Sequence, residues 1–431
     1  MNARTAATAP RATAGVDLRP RFHSHEAGLA NEPNLNAFAH HAAAIDPIGL
    51  ATVLSLGYAI GGRTVLQGVR ADEVDVAQFA AARPPSDAEL IELSIEAVRS
   101  AIGRGGTTVI LSGGRDSRLI LLAMRELGLR PRALITLDQY GRHSDAAIAE
   151  RLARFVDEPF QRVAPLPFDG ARELDRHAMQ SFQSLEHEWF VAIAARARLI
   201  DGGVTDGIGA GVLATGSLLE AEAVALYRAG HFDALCEWTA ARGGFASRRF
   251  QEAARSVGVP LASRDEVLHE FAGVLRELAT TPNPLGMYSL MHWTRRGIGA
   301  SAYGLLPQDR VRTPLFENEL CRAVAAYPME MALESDWRDI VLERLDDSGI
   351  PFATGESSLI PRWLRAPSRV LQSRAGWMAF TRRLSPVLQH LARVADASTG
   401  DRRCFDRAAL GLLASLDRST GFLSRSGGTH G

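Results

Sequence analysis

Lysine is absent from this sequence: all 48 basic residues among its 431 positions are arginine. The absence excludes a phosphate-binding lysine, a Schiff-base lysine and a lysine general base. A cation that binds phosphate in this protein must therefore be an arginine or a metal ion.

Cysteines are few, and long apolar runs are missing. Cys236, Cys321 and Cys404 lie far apart, without CxxC or metal-ligand spacing, and are interpreted as reduced thiols of a cytoplasmic protein. No apolar run approaches the ~20 residues that cross a bilayer, and residues 1–35 lack the apolar core of a signal peptide. The net charge of −1 gives no general attraction to nucleic acid or to anionic lipid. We therefore expect neither a membrane nor a nucleic-acid partner.

Four regions are predicted along the chain. Residues 1–35 are expected to form a flexible arm, and residues 36–85 a short glycine-punctuated region that ends in a linker. Residues 86–345 are predicted to form the main domain, and residues 346–431 a helical, arginine-rich C-terminal region.

Alternating strands and helices in the main domain predict an α/β fold with a doubly wound parallel sheet. Ser86 and Glu89 form a capping-box pattern before a helix that runs to about Ile102. From about residue 179 the pattern is mostly helical, to near residue 416. The strands are predicted at 107–111, 133–137 and 160–163, and the helices between them at 119–127 and 145–156.

The loop Ser112–Ser117, with the sequence Ser-Gly-Gly-Arg-Asp-Ser, follows the first of these strands. Ligands of open parallel sheets bind beyond the carboxyl ends of the strands. Gly113 and Gly114 allow backbone N–H groups to approach an anion, and the following helix N-terminus adds more. Asp116 can face a phosphate only through a cation, which favours Mg²⁺. The alternative is a glycine turn with Asp116 or Ser117 as an ordinary N-cap.

This hexapeptide resembles the SGGxDS pyrophosphate loop of the N-type ATP pyrophosphatases, and the chain looks most similar to the synthetase half of the asparagine synthetase family. The resemblance implies a sheet of the adenine-nucleotide α-hydrolase-like type with extra C-terminal helices, and ATP and Mg²⁺ as cofactors. The residues expected to bind the nucleotide are Leu111, Ser112, Gly113, Gly114, Asp116, Ser117, Thr136, Leu137 and Gly202.

A second glycine-rich stretch, Leu199 to Gly211, is similar to the family's GxGADExFGG loop through Gly202 and Asp206. The resemblance implies that Asp206 joins Asp116 as a metal ligand, and a turn between helices is the alternative. The stretch departs from the family at Gly203 and Gly207, where glutamates are usual.

Two arginines are predicted to contact phosphate. The pair Arg295–Arg296, followed by Val311–Glu317, resembles the family's arginine-containing helix that leads into a VPFLD-type segment. Arg296 is the member of the pair predicted to contact phosphate. A pair of exposed surface arginines is the alternative. Arg118 lies on the first turn of a helix, where the dipole disfavours a cation. An exposed surface arginine is the alternative for Arg118.

Two further acidic positions lie between or near the predicted loops. Asp145 is interpreted as an N-cap, although an acidic residue lies near the nucleotide in relatives. The cluster Glu186–Glu188 is a candidate base for the substrate amine, and a solvated helix face is the alternative.

The segment Leu54–Val69 resembles the end of the family's N-terminal half, so residues 36–85 are interpreted as a remnant of that half. Glutamine-dependent members begin with a cysteine at position 2, whereas this chain has Asn2. An in-chain glutaminase is therefore not expected.

The resemblance predicts an AMP-forming carbon–nitrogen ligase. A small-molecule or peptide carboxylate is adenylated by ATP, and an amine then attacks it to form an amide, in specialised natural-product metabolism. The oligomeric state stays open, with a homodimer as one option. An ATP pyrophosphatase that adenylates an RNA base and a catalytically inactive nucleotide-binding protein are the alternatives.

Overall fold

The computed structural model describes most of the chain. Residues 1–18, Glu186, the arginine-rich stretch 353–373 and residues 424–431 are among those that lie outside the described residues. The described ranges are 19–24, 29–39, 44–80, 83–103, 106–138, 145–185, 187–215, 218–243, 245–352, 374–399 and 401–423.

A small antiparallel sheet lies near the amino terminus. It is formed by β1 (Phe22–Ser24), β2 (Leu29–Glu32) and β3 (Arg70–Ala71), in the order β2-β1-β3. The Phe22 side chain is completely buried. The interpretation of residues 1–35 as a flexible arm is therefore too broad, because its second half contributes two strands and a core side chain.

The main sheet is parallel and has five strands. They are β4 (Thr107–Ile110), β5 (Ala133–Leu137), β6 (Phe160–Val163), β7 (Gly203–Thr205) and β8 (Val311–Arg312), in the order β6-β5-β4-β7-β8. The central strands consist of buried apolar and β-branched residues, as expected for a sheet covered on both faces. The predictions of β4, β5 and β6 are confirmed, whereas β7 and β8 lie in sequence that was predicted to be mostly helical.

Helices supply most of the remaining structure. A ten-residue π-helix spans Ser289–Ile298, and short 3₁₀ turns connect other elements. The described α-helices are α1 (Pro47–Leu56), α2 (Asp87–Ile102), α3 (Arg115–Glu126), α4 (Asp145–Phe155), α5 (Gly170–Met179), α6 (Phe190–Ala197), α7 (Val212–Thr215), α8 (Ala221–Arg228), α9 (Phe232–Gly243), α10 (Arg248–Ser256), α11 (Arg264–Glu277), α12 (Pro284–Tyr288), α13 (Gly299–Leu305), α14 (Asn318–Ala325), α15 (Met329–Glu334), α16 (Trp337–Leu345), α17 (Arg374–Thr381), α18 (Pro386–Ala397) and α19 (Asp401–Thr420).

Both faces of the main sheet are covered by helices. Leu134 of β5 joins the core of α2, α3 and α4, whereas its neighbours Ala133 and Ile135 join the core of α6 and α13. This alternation follows from the period of two residues in a strand. The α/β class and the helices on both faces are therefore as predicted. The capping box of Ser86 and Glu89 at the start of α2 is confirmed as well.

The strand order reverses beside β4. The chain adds β5 and β6 on one side of β4, and then returns to add β7 and β8 on the other. Such a reversal opens a crevice at the carboxyl ends of the two strands, where ligands of doubly wound sheets bind. The loops that follow β4 and β7 both lie at this crevice.

The two ends of the chain share a second core. Phe22 and Leu50 from the amino-terminal part belong to the same buried cluster as Trp377, Leu391 and Leu410 from the C-terminal helices. Phe182 and Phe250 of the main domain belong to the same cluster, so the described parts of the predicted regions 36–85 and 346–431 share this core with the main domain. Among the described helices, none is both long and apolar enough to cross a bilayer.

Replacement of Phe22 by alanine tests whether the amino-terminal strands belong to the fold. Because the side chain is completely buried, Phe22→Ala is expected to lower the free energy of unfolding by about 3–5 kcal/mol. Urea unfolding followed by circular dichroism measures the change. His23→Ala, in the same strand, removes a partly exposed pair with Asp72 and is expected to cost less than about 1 kcal/mol. Equal stability of Phe22→Ala and the unaltered protein would contradict the assignment.

Candidate functional site

The first loop runs from β4 into α3 and is shaped by its two serines. The Ser112 N–H donates to Ser117 Oγ at 2.9 Å, and the Gly114 N–H donates to Ser112 Oγ at 3.2 Å. Gly114 is the N-cap of α3, and among the described residues no side chain caps this helix. The cap role proposed as an alternative for Asp116 or Ser117 is therefore not observed. The first N–H groups of α3 are arranged as in an anion-binding helix N-terminus.

The second loop begins where β7 ends and holds Asp206 at the same edge of the sheet. The Asp206 N–H donates to the carbonyl oxygen of Arg312 at 2.9 Å. Its carboxylate accepts the N–H of Ile208 at 3.1 Å, and also the N–H of Gly207. Backbone contacts thus fix both the main chain and the carboxylate of Asp206. The alternative of a turn between helices is wrong, because the loop follows a strand.

Two glycines allow the two loops to touch. A Cβ atom on Gly207 would lie 3.1 Å from Asp116 Cβ and 3.1 Å from the Ser117 nitrogen. A Cβ atom on Gly211 would overlap Asp116 Oδ1 and Arg338 Nη1. The glycine at position 207 thus has a steric reason, since a glutamate there would press against the first loop.

Asp206 is difficult to ionise at this position. Burial, and to a smaller extent the charge of Asp116, raise its pKa to about 6, although hydrogen bonds from the N–H groups of Ile208 and Gly207 lower it. A carboxylate that is disfavoured by burial and by a like charge gains most from a nearby cation.

Asp116 and Asp206 could supply two protein ligands to a magnesium ion that takes its other ligands from a substrate and water. Among the described residues, no group of three or more histidine, cysteine or acidic side chains could hold a metal ion. Mg²⁺ in phosphate-transfer sites commonly takes one or two protein carboxylates, with its other ligands from phosphates and water. Asp116 and Asp206 match that pattern.

Arg338 was not singled out in the sequence, and it lies in the site. Its Nη1 donates to Asp116 Oδ1 at 2.8 Å, while Nε and Nη2 donate to the Asp336 carboxylate at 2.8 and 2.6 Å. Burial lowers the pKa of Arg338, but Asp116 and Asp336 raise it above its ordinary value. Arg338 lies 222 positions beyond Asp116, so no local pattern indicates the pairing.

Asp145 lies against the first loop. Its carboxylate accepts the N–H of Gly113, and it is the first residue of α4. The N-cap interpretation is therefore incomplete, because this carboxylate binds a donor of the loop predicted to hold phosphate.

Arg118 does not face the crevice. Its side chain is completely buried, and Nη1 donates to Asp346 at 2.9 Å and to the carbonyl of Ile350 at 2.6 Å. Nη2 donates to the carbonyl of Pro351 at 3.0 Å. The prediction that Arg118 binds phosphate is corrected: Arg118 attaches α3 to the segment that follows α16.

Arg296 is also committed elsewhere. Its Nε donates to Gln183 Oε1 at 3.0 Å, and its Nη groups bond to the carbonyls of Gly61 and Arg63. Burial, and then the neighbouring Arg295, lowers its pKa to about 9. The predicted phosphate contact and the surface-pair alternative are both corrected, since Arg296 ties the π-helix to the amino-terminal glycine-rich segment.

Gly202 lies at the opposite end of the sheet from the crevice. It directly precedes β7, and a Cβ atom there would lie 2.9 Å from the carbonyl oxygen of Gly106, just before β4. Its φ of +94° is a conformation that favours glycine. The prediction for Gly202 is corrected to a backbone role.

Leu111, Thr136 and Leu137 lie where they were predicted, at the carboxyl ends of β4 and β5. The Leu111 N–H donates to the carbonyl of Ile135 at 2.9 Å, so pairing of the strands continues up to the first loop. Their contact with an adenine ring stays a prediction.

The cluster Glu186–Glu188 is described in part, because Glu186 lies outside the described residues. His187 adopts a φ of +65°, and burial, and then Arg176, lowers its pKa to about 4. Glu188 is buried and lies in the field of Arg176. The alternative of a solvated helix face is therefore wrong for these two residues.

Comparison of the chain with protein-family models and with curated proteins gives no match. The resemblance of the two loops to the asparagine synthetase family therefore stays a prediction, and the site rests on its geometry.

Arg118→Met separates a structural role from a phosphate-binding one. The variant leaves Asp346 without its buried partner, so the free energy of unfolding should fall by about 3 kcal/mol. The affinity for ATP, measured by calorimetry, should stay within about twofold, because the guanidinium does not face the crevice. Arg125→Met removes an exposed pair on the same helix and should cost less than about 1 kcal/mol. A large loss of affinity at unchanged stability would restore the phosphate role.

Asp206 makes the stability of the metal-free protein depend on pH. Its carboxyl titrates near the ordinary 3.8 when unfolded but near 6 when folded. Between these values the folded state binds more protons, so the free energy of unfolding should fall as pH rises from about 4 to about 6 and stay low above.

Asp206→Asn should remove this slope and raise stability at pH 8 in EDTA by about 2 kcal/mol. Thermal unfolding at several pH values measures it. Asp201→Asn, at an exposed position before β7, is the control and should leave the slope in place. A slope that persists in Asp206→Asn would assign it to another group.

Proposed function

We propose that this protein is an ATP-dependent amide ligase that adenylates a substrate carboxylate and releases pyrophosphate. The observation that carries the proposal is the meeting of Asp116 and Asp206 beside a helix N-terminus at the reversal of strand order. A helix N-terminus attracts phosphate, and paired carboxylates attract the cation that accompanies phosphate. The two loops also resemble those of the asparagine synthetase family in their order along the chain and in their composition.

The residues would divide the work as follows. The first-turn N–H groups of α3 and the hydroxyls of Ser112 and Ser117 would bind phosphate oxygens, while Asp116 and Asp206 hold Mg²⁺. The metal ion would neutralise charge on the phosphates as the bond between the α- and β-phosphates breaks. Thr136 and Leu137, at the end of β5, would provide backbone contacts to adenine.

The chemistry has two steps. A carboxylate oxygen of the substrate attacks the α-phosphorus, and pyrophosphate leaves with the electrons of the broken P–O bond. The amine nitrogen then attacks the activated carbonyl carbon, AMP leaves, and the nitrogen loses a proton. Positioning of the two reactants in the crevice supplies much of the rate enhancement.

Isothermal calorimetry with ATP and Mg²⁺ tests the nucleotide site without knowledge of the substrate. Asp116→Asn and Asp206→Asn are each expected to weaken binding of ATP with Mg²⁺ at least about tenfold, because each removes a charged metal ligand. Asp347→Asn is the matched control, since Asp347 pairs with Arg125 at an exposed position. Equal affinity in all four proteins would contradict the metal assignment.

Exchange of labelled pyrophosphate into ATP, measured with panels of carboxylates and peptides, tests the reaction. Substrate-dependent exchange that is lost in Asp116→Asn supports the ligase. ATP binding without AMP formation would instead favour a nucleotide-binding protein, and exchange that requires RNA would favour base adenylation.

A further inference from the structure

Arg338 already occupies one of the two predicted metal ligands. Its Nη1 hydrogen bonds to Asp116 Oδ1 at 2.8 Å, and only 7% of its side chain is exposed. Gly211 packs directly against the pair, since a Cβ atom at this position would overlap both Nη1 and Oδ1. A cation that binds Asp116 through Oδ1 must either displace the guanidinium or share this oxygen with it.

The second partner of Arg338 keeps its guanidinium in the site. Asp336 accepts from both Nε and Nη2, which form the other edge of the guanidinium. The side chain of Asp336 is itself only 8% exposed. If Asp116 turns to another cation, the bidentate contact with Asp336 holds Arg338 in place, and Nη1 can donate to an anion in the position that the Asp116 oxygen occupied.

The neighbouring arginines have other partners. Arg115 donates to Asp339 at 2.7 Å, and its guanidinium lies over the Phe352 ring at 4.6 Å. Arg118 is bound to Asp346 and to two carbonyls. Because the chain has no lysine, Arg338 is, within the described part of the chain, the side-chain cation best placed to meet a phosphate beside Asp116.

We propose that Arg338 is an exchangeable counter-ion: Asp116 exchanges Arg338 for Mg²⁺ when magnesium-bound polyphosphate enters, and Nη1 of Arg338 then binds the polyphosphate. This role rests on the proposed function, because it needs a polyphosphate in the crevice. It makes Arg338 both a competitor of free Mg²⁺ and a ligand of the phosphates. A residue that is important only for folding would not have opposite effects on these two ligands.

Calorimetry with three probes tests the exchange: Mg²⁺ alone, magnesium pyrophosphate and AMP. In Arg338→Met, Mg²⁺ alone should bind about threefold or more tightly, because Asp116 loses a competing charge. Magnesium pyrophosphate should bind at least about tenfold more weakly, because a charge-assisted contact is lost. AMP should bind within about twofold of the unaltered protein.

Arg344→Met is the matched control, since Arg344 lies on the same helix and forms an exposed pair with Glu126. It should leave all three affinities unchanged. Weaker binding of every probe by Arg338→Met, or no change in any, would overturn the exchange. If the unaltered protein binds neither pyrophosphate nor ATP, the proposed function fails and the exchange fails with it. If Arg338→Met binds magnesium pyrophosphate as tightly as the unaltered protein does, the exchange is overturned and the proposed function is not.

Two further variants keep the test independent of the folding of Arg338→Met. Arg338→Lys retains the charge and should recover part of the pyrophosphate affinity. Asp116→Asn removes the negative charge that faces Arg338 Nη1, so pyrophosphate in EDTA should bind more tightly than to the unaltered protein, by about threefold or more. The gain should disappear in the double variant Asp116→Asn/Arg338→Met. A gain that persists there would contradict the role of Arg338.

Discussion

The close approach of Asp116 and Asp206 is the constraint around which the crevice is built. Two carboxylates on neighbouring loops repel each other, and the rise in the pKa of Asp206 reflects burial together with that repulsion. Arg338 offsets part of the cost by its ion pair with Asp116. The fold therefore keeps an unfavourable arrangement of charge at the one edge of the sheet where the strand order reverses. Such an arrangement lowers the stability of the protein alone, and it strengthens the binding of a cation.

Steric contacts reinforce this arrangement. Gly207 and Gly211 lack the Cβ atoms that would separate the second loop from Asp116. α16 closes the other side, with Arg338 and Asp336 at its start and Trp337 Nε1 donating to the carbonyl of Ala210 at 3.2 Å. A helix from the far end of the main domain thus contacts both loops. Any movement of α16 would move the positive charge of Arg338 relative to Asp116.

The parts of this structure that could be predicted from the sequence are local. The capping box of α2, the bounds of β5 and β6 and the position of the first loop follow from patterns within a few residues. β7 and β8 could not be predicted in the same way, because they have three and two residues and are stabilised by pairing with distant strands. The misassigned arginines have the same origin. Arg118 and Arg296 contact partners 228 and 113 positions away, and neither a helix dipole nor a short motif indicates partners at such a distance.

Exclusive use of arginine has a physical consequence for such a crevice. A buried lysine beside two acids can lose its proton near neutral pH when burial outweighs its partners, whereas a guanidinium stays charged. At Arg338 the two acidic partners outweigh burial, because Asp116 and Asp336 raise its pKa above the ordinary value. The positive charge of Arg338 is therefore constant over the physiological range, while the charge of Asp206 changes near pH 6. A planar guanidinium can also keep one edge on Asp336 while the other edge changes partner, which a single ammonium group cannot do with the same geometry. With lysine absent, the cation beside Asp116 is a guanidinium, whose charge stays constant while that of Asp206 changes.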